Sequence, residues 1–264
     1  MNILELNDVL LHWREDGDPN GAPLVFANSL GTDFRIWDKV IARLPKGLRI
    51  IRYDMRGHGL TSCPEGPYRM GSLVRDAERL LDHLKIRDSM FVGLSIGGMV
   101  AQGLAVKRMD QVRAMVLCDT AAKIGTPEVW QDRMDTVRDG GIEALADATM
   151  ERWFTKAFRA TPEVTRWRNM VTRTPVEGYL GCCAAISGTD FYTPTSGLRL
   201  PTLGIVGSED GATPPDLVRE TIDLIPGSEF VLIRRAGHIP CVEQPDKFAE
   251  ILSSFIAKTG HIAG

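Results

Sequence analysis

The sequence predicts an α/β protein with a mostly parallel, doubly wound sheet of eight strands and an inserted helical cap. Short β-branched apolar runs alternate with stretches that repeat apolar residues at helical spacing. Apolar residues in these runs are continuous rather than alternating, which is typical of strands buried on both faces of a parallel sheet. The six predicted parallel strands are residues 23–28, 48–54, 89–95, 112–119, 202–210 and 229–237.

Helical patterns separate the predicted strands. Residues 69–84 repeat apolar side chains at helical spacing, and residues 97–107 are rich in glycine, alanine, leucine and valine. This alternation is typical of βαβ units in a doubly wound sheet. Residues 3–6 and 9–13, separated by an Asn-Asp dipeptide, are expected to form an antiparallel hairpin at the sheet edge. The hairpin completes the eight strands.

The alternation stops after residue 120 and resumes near residue 195. The segment between has the pattern of helices, with three tryptophans and no buried strand. Its acidic and basic residues are balanced, as on solvated helix faces. We therefore expect a core of residues 1–120 and 196–264, with a helical cap inserted at residues 121–195.

The bulk composition narrows the function classes. The 264 residues are 44% hydrophobic with a formal net charge of −3, so the chain lacks the positive excess typical of nucleic-acid binding. The N-terminus lacks a signal-peptide pattern, and no apolar run approaches the roughly 18 residues of a membrane span. Five cysteines without C-x-x-C pairs favour free thiols over a metal site. We expect a cytoplasmic protein without metal, nucleic-acid or membrane partners.

One serine stands between two glycines where a predicted strand gives way to a helix. Residues 93–97, Gly-Leu-Ser-Ile-Gly, match G-x-S-x-G, in which a strained turn exposes a nucleophilic serine. Glycines suit this turn because the neighbouring elements pack too closely for side chains. The alternative interpretation of Ser95 is a helix N-cap, a position where serine is common.

A nucleophilic serine needs a histidine base and a carboxylate that orients it. His238 follows the last predicted strand in a glycine-marked loop, and Asp210 ends the strand before it. Glu209 and Asp119 remain as rival acids. The order Ser95, Asp210, His238 is the order of a nucleophile-elbow hydrolase. The other histidines fit this role less well because of their places in a strand, a turn, a helix and the tail: His12, His58, His83 and His261.

The tetrahedral intermediate of such a reaction needs preorganised N–H donors. The expected donors are the backbone N–H of Ile96, after the nucleophile, and that of Leu30, in the loop after the first predicted parallel strand. Asn28 and Ser29 precede Leu30, and their side chains could orient a substrate. Asn28 could also be a turn residue that ends the strand.

Five stretches together resemble the α/β-hydrolase superfamily across nearly the whole chain. They are NSLGTDFRIWD (28–38), YDMRGHGLTS (53–62), GLSIGG (93–98), GSEDGATPP (207–215) and AGHIPCVEQP (236–245). Within that superfamily, NSLGTD followed by WD, GGIEALADATMERWFT (140–155) and GYLGCCAAISGTDF (178–191) are similar to the 3-oxoadipate enol-lactonases. Asn28-Ser29 stands where many α/β-hydrolases have His-Gly.

The resemblance implies a substrate and a reaction. The substrate would be a small anionic enol-lactone, opened to 3-oxoadipate in bacterial degradation of aromatic compounds, with no cofactor. An anionic substrate needs a cation, and Arg133 in the cap could bind its carboxylate. Trp130 and Trp153 could wall the pocket. Each of these cap residues could instead serve only the cap's packing or its solvated face.

Other functions remain open at the level of sequence. A carboxylesterase, a hydrolase of C–C bonds in ring-fission products and a cofactor-free perhydrolase could all keep the same three residues. A ligand receptor built on the hydrolase fold is an alternative from a different class. The sequence also leaves open whether the chain acts alone or as a homo-oligomer.

Overall fold

Eight strands form one sheet in the computed structural model, which describes residues 2–262. The predicted fold class is confirmed, and each predicted strand is present with slightly different ends. The strands are β1 (Asn2–Glu5), β2 (Leu10–Gly17), β3 (Ala22–Ala27), β4 (Leu48–Tyr53), β5 (Ser89–Leu94), β6 (Val112–Cys118), β7 (Thr202–Gly207) and β8 (Glu229–Ile233).

The strand order places the carboxyl ends of the later strands side by side. The order is β1-β2-β4-β3-β5-β6-β7-β8, in which β1 with β2 and β2 with β4 pair antiparallel and all other pairs are parallel. The predicted hairpin is therefore present at the sheet edge. Because β5 to β8 are parallel neighbours, the loops that follow them meet at one edge of the sheet.

Twelve α-helices cover the sheet and extend beyond it in the described residues. They are α1 (Asp38–Ile41), α2 (Met70–His83), α3 (Ile96–Lys107), α4 (Pro127–Gly140), α5 (Glu143–Trp153), α6 (Lys156–Arg159), α7 (Val164–Thr172), α8 (Val176–Ser187), α9 (Tyr192–Ser196), α10 (Pro215–Asp223), α11 (Pro240–Glu243) and α12 (Pro245–Lys258). A 3₁₀ turn, Phe34–Trp37, precedes α1.

The burial of the strands explains their continuous apolar sequence. Every residue of β5 and β7 is buried, because helices cover both faces of the parallel part of the sheet. Helix α3 is buried along most of its length and packs against β5 and α2. It therefore lacks the polar face that α2 turns to the solvent.

The segment between β6 and β7 consists of helices α4 to α9. Helix α4 begins after Thr126, whose side chain accepts a hydrogen bond from Val129 N, and has a proline in its first turn. Helix α4 packs on α5 and α8, and α5 packs on α7. The boundaries of the cap at residues 121 and 195 stay a prediction.

All five cysteines lie in the described residues and carry free thiols. Within residues 2–262, no helix is long and apolar enough to cross a membrane.

Candidate active site

Ser95 lies at a sharp, strained turn between β5 and α3. Its backbone has φ +57° and ψ −119°, a conformation that serine rarely adopts. The two flanking glycines allow this turn, since a methyl group at position 93 would lie only 2.2 Å from the Gly97 carbonyl oxygen. The same atom at position 97 would meet the Ala27 carbonyl oxygen of β3 at 2.4 Å. The glycines of G-x-S-x-G are thus required by packing.

The Ser95 side chain does not cap helix α3. The residue occupies the N-cap position, yet its hydroxyl accepts no hydrogen bond from the helix. Backbone contacts hold the turn instead: Ser95 N–H donates to the Cys118 carbonyl at 2.9 Å, and its carbonyl accepts the Thr120 hydroxyl at 2.6 Å. Within residues 2–262 the Ser95 hydroxyl forms no hydrogen bond, a common state in unliganded enzymes. The hydroxyl is therefore free to meet a substrate.

His238 and Asp210 are hydrogen-bonded to each other. His238 Nδ1 lies 2.9 Å from Asp210 Oδ2 and 3.0 Å from Asp210 Oδ1, and both residues are buried. Asp210 follows β7 and His238 follows β8, so the parallel pairing of these two strands brings the side chains together. The remaining nitrogen of the ring, Nε2, is the one that a triad uses toward its serine.

Three further hydrogen bonds stabilise Asp210 as an anion. Its Oδ1 accepts the N–H groups of Ala212 and Thr213 at 2.7 and 3.0 Å, and its Oδ2 accepts the Thr213 hydroxyl at 2.7 Å. Burial raises the pKa of Asp210, but the His238 charge and these hydrogen bonds outweigh burial and hold the pKa below its usual value. Asp210 can therefore stabilise an imidazolium at neutral pH.

The other four histidines have partners elsewhere. His12 Nδ1 lies 2.8 Å from Asp54, and His261 Nε2 lies 3.0 Å from a backbone carbonyl. His83 packs edge-on against a tryptophan. His58 Nε2 accepts a backbone N–H. Their contacts fit structural roles, as the sequence predicts.

The two rival acids differ in their surroundings. Glu209 is exposed, whereas Asp119 is fully buried at the end of β6. Asp119 Oδ1 accepts the Gly207 N–H at 2.9 Å, and Asp119, Asp210 and His238 each offer one polar atom within 4.8 Å of the others. One nitrogen and two carboxylate oxygens are also donors that a divalent cation accepts, so the absence of a metal stays a prediction.

The predicted oxyanion donors have free N–H groups. Among the described residues, neither Leu30 N–H nor Ile96 N–H donates to a protein acceptor. Ile96 is the first residue of α3, where N–H groups lack intrahelical partners and the helix dipole favours negative charge. Next to Leu30, Gly31 N–H is bound by His58 Nε2 at 2.9 Å, which fixes this loop.

Both polar groups of the Asn28 side chain form hydrogen bonds within the protein. Its Nδ2 donates to the Tyr53 carbonyl at 2.8 Å, and its Oδ1 accepts the Trp37 indole N–H at 2.9 Å. This geometry favours the turn role over a contact with substrate, because both polar groups have partners. Ser29 is buried beside it, and its carbonyl accepts both the N–H and the hydroxyl of Thr32.

Two of the predicted cap contacts also have internal partners. Trp130 is half-buried, and its indole N–H donates to the Ile124 carbonyl at 2.6 Å. Arg133 Nε donates to the Tyr179 hydroxyl at 2.9 Å, and its guanidinium lies 5.6 Å from the centre of the tyrosine ring. Within residues 2–262, no carboxylate pairs with Arg133.

Trp153 contacts both loops of the candidate site. A methyl group at Gly31, in the loop of Leu30, would lie 3.6 Å from the Trp153 ring and 3.3 Å from the Tyr179 ring. A methyl group at Gly237, the residue before His238, would lie 2.4 Å from the Trp153 carbonyl oxygen. The end of α5 is therefore packed between the predicted oxyanion loop and the histidine loop.

A large cleft lies beside this site and does not include it. Its volume is about 1010 Å³, and it runs between α7 and the loop after β3, where Thr32, Phe34, Trp167 and Arg173 line it. None of the three predicted triad residues lines this cleft. The cleft therefore lacks the reacting groups that define the candidate site.

Sequence reasoning missed three residues that support the site. Thr213 binds Asp210 through its N–H and hydroxyl, and the spacing D-x-x-T was a detectable signal for such a turn. Glu243 accepts hydrogen bonds from Thr155 of the cap and from Gly237 N–H, the latter at 2.9 Å. Tyr179 has no local signal, because its contacts come from distant segments.

Comparisons with known proteins identify relatives of this chain. A family model described as the alpha/beta hydrolase fold matches residues 22–245. The chain is 34% identical to 3-oxoadipate enol-lactonase 2 of Acinetobacter baylyi over 257 residues, covering 94% of this chain and 93% of that protein. The enol-lactonase structure from Burkholderia xenovorans LB400 has a TM-score of 0.93 at 38% identity, covering 97% of this chain and 100% of that one.

An esterase is also similar. The structure of a thermophilic esterase from Thermogutta terrifontis has a TM-score of 0.91 at 28% identity and covers 98% of this chain and 99% of that one. The matched residues, 22–245, include Ser95, Asp210 and His238. With the order and pairing of the eight strands, these findings assign the fold and the family. The chain belongs to the α/β-hydrolase family.

Proposed function

We propose that this protein is a serine hydrolase that opens the lactone ring of 3-oxoadipate enol-lactone to give 3-oxoadipate. The observation that carries the chemistry is the buried, hydrogen-bonded Asp210–His238 pair, formed from loops at the same sheet edge as the strained Ser95 turn. The substrate is supported by whole-chain similarity to proteins named enol-lactonase.

In the acylation step, Ser95 Oγ attacks the lactone carbonyl carbon while His238 Nε2 takes the hydroxyl proton. Asp210 accepts the Nδ1–H of His238 and stabilises the imidazolium that forms. The negative oxygen of the tetrahedral intermediate is stabilised by the N–H groups of Leu30 and Ile96. Each such donor contributes roughly 3 kcal/mol of transition-state stabilisation in comparable enzymes.

Collapse of the intermediate breaks the bond between the carbonyl carbon and the ring oxygen. The ring oxygen leaves as an enolate, which is a good leaving group, and takes up the proton that His238 carries to give a ketone after tautomerisation. A water molecule then attacks the acyl-enzyme with His238 as general base, which releases 3-oxoadipate and restores Ser95. No cofactor enters these steps.

The carboxylate of the substrate needs a cation, and Arg133 meets this requirement. Its guanidinium has no carboxylate partner in the described part of the chain, and it bonds to Tyr179, whose ring faces the loop of Leu30 through Gly31. Trp153 would form the wall between the two loops. Trp130, Asn28 and Ser29 would act by supporting these elements.

The Arg133 proposal has a matched control on the same helix. We expect Arg133→Gln to raise KM for the lactone at least tenfold, since a charge-assisted contact contributes about 1.5–3 kcal/mol. Arg138→Gln removes an exposed arginine that pairs with Asp135 and should leave KM unchanged. Equal values of KM in the two variants would remove Arg133 from the binding site.

The function is tested by comparing kcat/KM for the enol-lactone, for p-nitrophenyl esters and for a ring-fission dienoate. We expect the lactone to be preferred by at least a hundredfold over the aryl esters. An opposite preference would make the protein a carboxylesterase, the second candidate, which the similarity to a thermophilic esterase favours. Turnover of the dienoate would indicate a C–C hydrolase, and peracid formation with hydrogen peroxide a perhydrolase.

One further outcome would change the class of function. Tight binding of the lactone without turnover would indicate a ligand receptor. The location and the pathway are part of the same proposal: five free thiols suit a reducing cytoplasm, and the reaction suits aromatic-compound breakdown. Accumulation of the enol-lactone in cells that lack the protein would support the pathway.

A further inference from the structure

We propose that Asp119 is a neutral carboxylic acid that donates a hydrogen bond to Asp210 and thereby positions Asp210 for His238. This inference rests on the proposed function, in which Asp210 and His238 assist Ser95. Asp119 has no task in that mechanism, although it is fully buried beside the pair. It would act through Asp210 and not on the substrate, so we call it a positioning residue.

The position of Asp119 is set by two neighbouring strands. It follows β6 with φ +44°, and its Oδ1 accepts the N–H of Gly207, the last residue of β7. This contact turns the carboxyl group toward the loop that carries Asp210. One polar atom from each of Asp119, Asp210 and His238 lies within 4.8 Å of the others.

One oxygen of Asp119 lacks a partner that an anion would need. Among the described residues, Asp119 Oδ2 is buried and has no hydrogen-bond donor. An ionised carboxylate in that state would bear an unscreened charge in a low-dielectric interior, which costs several kcal/mol. A proton on Oδ2 removes that charge and gives the buried oxygen a hydrogen to donate.

The distribution of donors decides which carboxylate is charged. Asp210 receives hydrogen bonds from Ala212, Thr213 and His238, whereas Asp119 receives one, from Gly207. Two carboxylates this close cannot both ionise at low cost, so one proton is retained by the pair. It remains on the carboxyl group with fewer donors.

The other titratable groups that face Asp119 do not supply a balancing charge. They are the thiols of Cys118, in β6, and Cys241, in α11, and burial raises the pKa of both thiols well above its usual value. Burial, followed by repulsion from Asp210, raises the pKa of Asp119 well above its usual range. The thiols and Asp119 are therefore all neutral near pH 7, and Asp210 carries the negative charge of the carboxylate pair.

A hydrogen bond from Asp119 would have two consequences for Asp210. It would add one more donor to the carboxylate of Asp210, which restricts rotation of that group. It would also withdraw negative charge from Asp210 and so weaken its stabilisation of the His238 imidazolium. Loss of the donor therefore raises the pH at which His238 loses its proton.

The proton on Asp119 can be detected without any assay of activity. We expect an infrared C=O band of a buried protonated carboxyl group near pH 7 in the wild-type protein. The band should be absent from the spectrum of Asp119→Asn and retained in the spectrum of Asp190→Asn, a variant that removes an exposed carboxylate. A wild-type spectrum that matches that of Asp119→Asn in the protonated-carboxyl region would overturn the proposal.

The positioning role is tested by the pH profile of kcat/KM for lactone hydrolysis. Asp119→Asn keeps a neutral donor at a backbone angle that asparagine tolerates, so kcat should stay within about threefold and the acid limb should not move. Asp119→Ala removes the donor, so kcat should fall about tenfold and the acid limb should move to higher pH. Asp119→Asn should therefore retain the kcat and the acid limb that Asp119→Ala changes.

An ionised Asp119 predicts that the acid limb of the pH profile moves in the opposite direction. If Asp119 were ionised, both variants would remove a negative charge near His238 and move the acid limb to lower pH. That result, or an unchanged profile and unchanged kcat in Asp119→Ala, would refute the positioning role. The Ser95→Ala variant distinguishes failure of the positioning role from failure of the proposed function. If Ser95→Ala keeps full activity, the proposed function fails; if Ser95→Ala is inactive, only the positioning role is refuted.

Discussion

The buried ring of His58 must stay neutral if it holds the predicted oxyanion loop. Its Nε2 accepts the Gly31 N–H at 2.9 Å, and its Nδ1 lies 3.2 Å from the Arg56 carbonyl oxygen, to which it can donate. Burial lowers the pKa of His58 to about 4, against about 6.5 in an unfolded chain. A proton on Nε2 would displace Gly31 and, with it, the adjacent Leu30.

The sign of the pH dependence follows from this depressed pKa. As the pH falls, the unfolded chain binds the proton of His58 before the folded chain does, so acid favours unfolding. The stabilisation is complete above about pH 6.5 and is lost as the pH falls toward about 4. At about 1.4 kcal/mol per pH unit, His58 removes roughly 2.5 kcal/mol of unfolding free energy between about pH 7 and about pH 4.5.

His58→Gln is the matched change, because glutamine offers an acceptor oxygen and a donor nitrogen but does not titrate. We expect urea unfolding to show a loss of about 1 kcal/mol at neutral pH, the value of one weakened hydrogen bond. Between about pH 7 and about pH 4.5, the variant should lose roughly 2.5 kcal/mol less than the wild-type protein. Equal losses in both proteins would refute the neutral, buried role of His58.

Three further changes test the supports of the site. Thr213→Val removes a 2.7 Å hydrogen bond to Asp210 and should lower kcat about tenfold with little change in KM, as steady-state kinetics would show. Glu243→Gln replaces a carboxylate that accepts the N–H groups of Thr155 and Gly237 with an amide. It should lower the free energy of unfolding in urea by about 1–3 kcal/mol. Gly93→Ala places a methyl group 2.2 Å from a carbonyl oxygen and should cost about 3 kcal/mol, whereas Gly71→Ala, with open space around it, should cost nothing. A folded, fully stable Gly93→Ala protein would contradict the packing argument.

Local patterns in the sequence predicted the sheet because each parallel strand is buried on both faces. Residues 90–94 and 203–207 are apolar without interruption, and the structure places β5 and β7 wholly in the interior. The strand ends were less accurate. The run at 229–237 ends as a strand at Ile233, since Arg235 turns with φ +57° and begins the loop of His238.

The candidate site was predictable for those residues that a local sequence motif marks. Ser95, Asp210 and His238 each follow a strand, and parallel pairing places such loops at one sheet edge. Contacts between distant segments were not predictable, because no periodicity records them. The sequence predicted neither the hydrogen bond from Arg133 to Tyr179 nor the one from Asn28 to the Tyr53 carbonyl.

The central claim is that Ser95 is the nucleophile and that the Asp210–His238 pair activates it. The most direct measurement is intact-mass and peptide analysis of the protein after reaction with a fluorophosphonate. The account predicts one adduct per chain, located on Ser95, absent from Ser95→Ala and formed at least a hundredfold more slowly in His238→Ala. An adduct on another residue, or a labelling rate unchanged by His238→Ala, would contradict it.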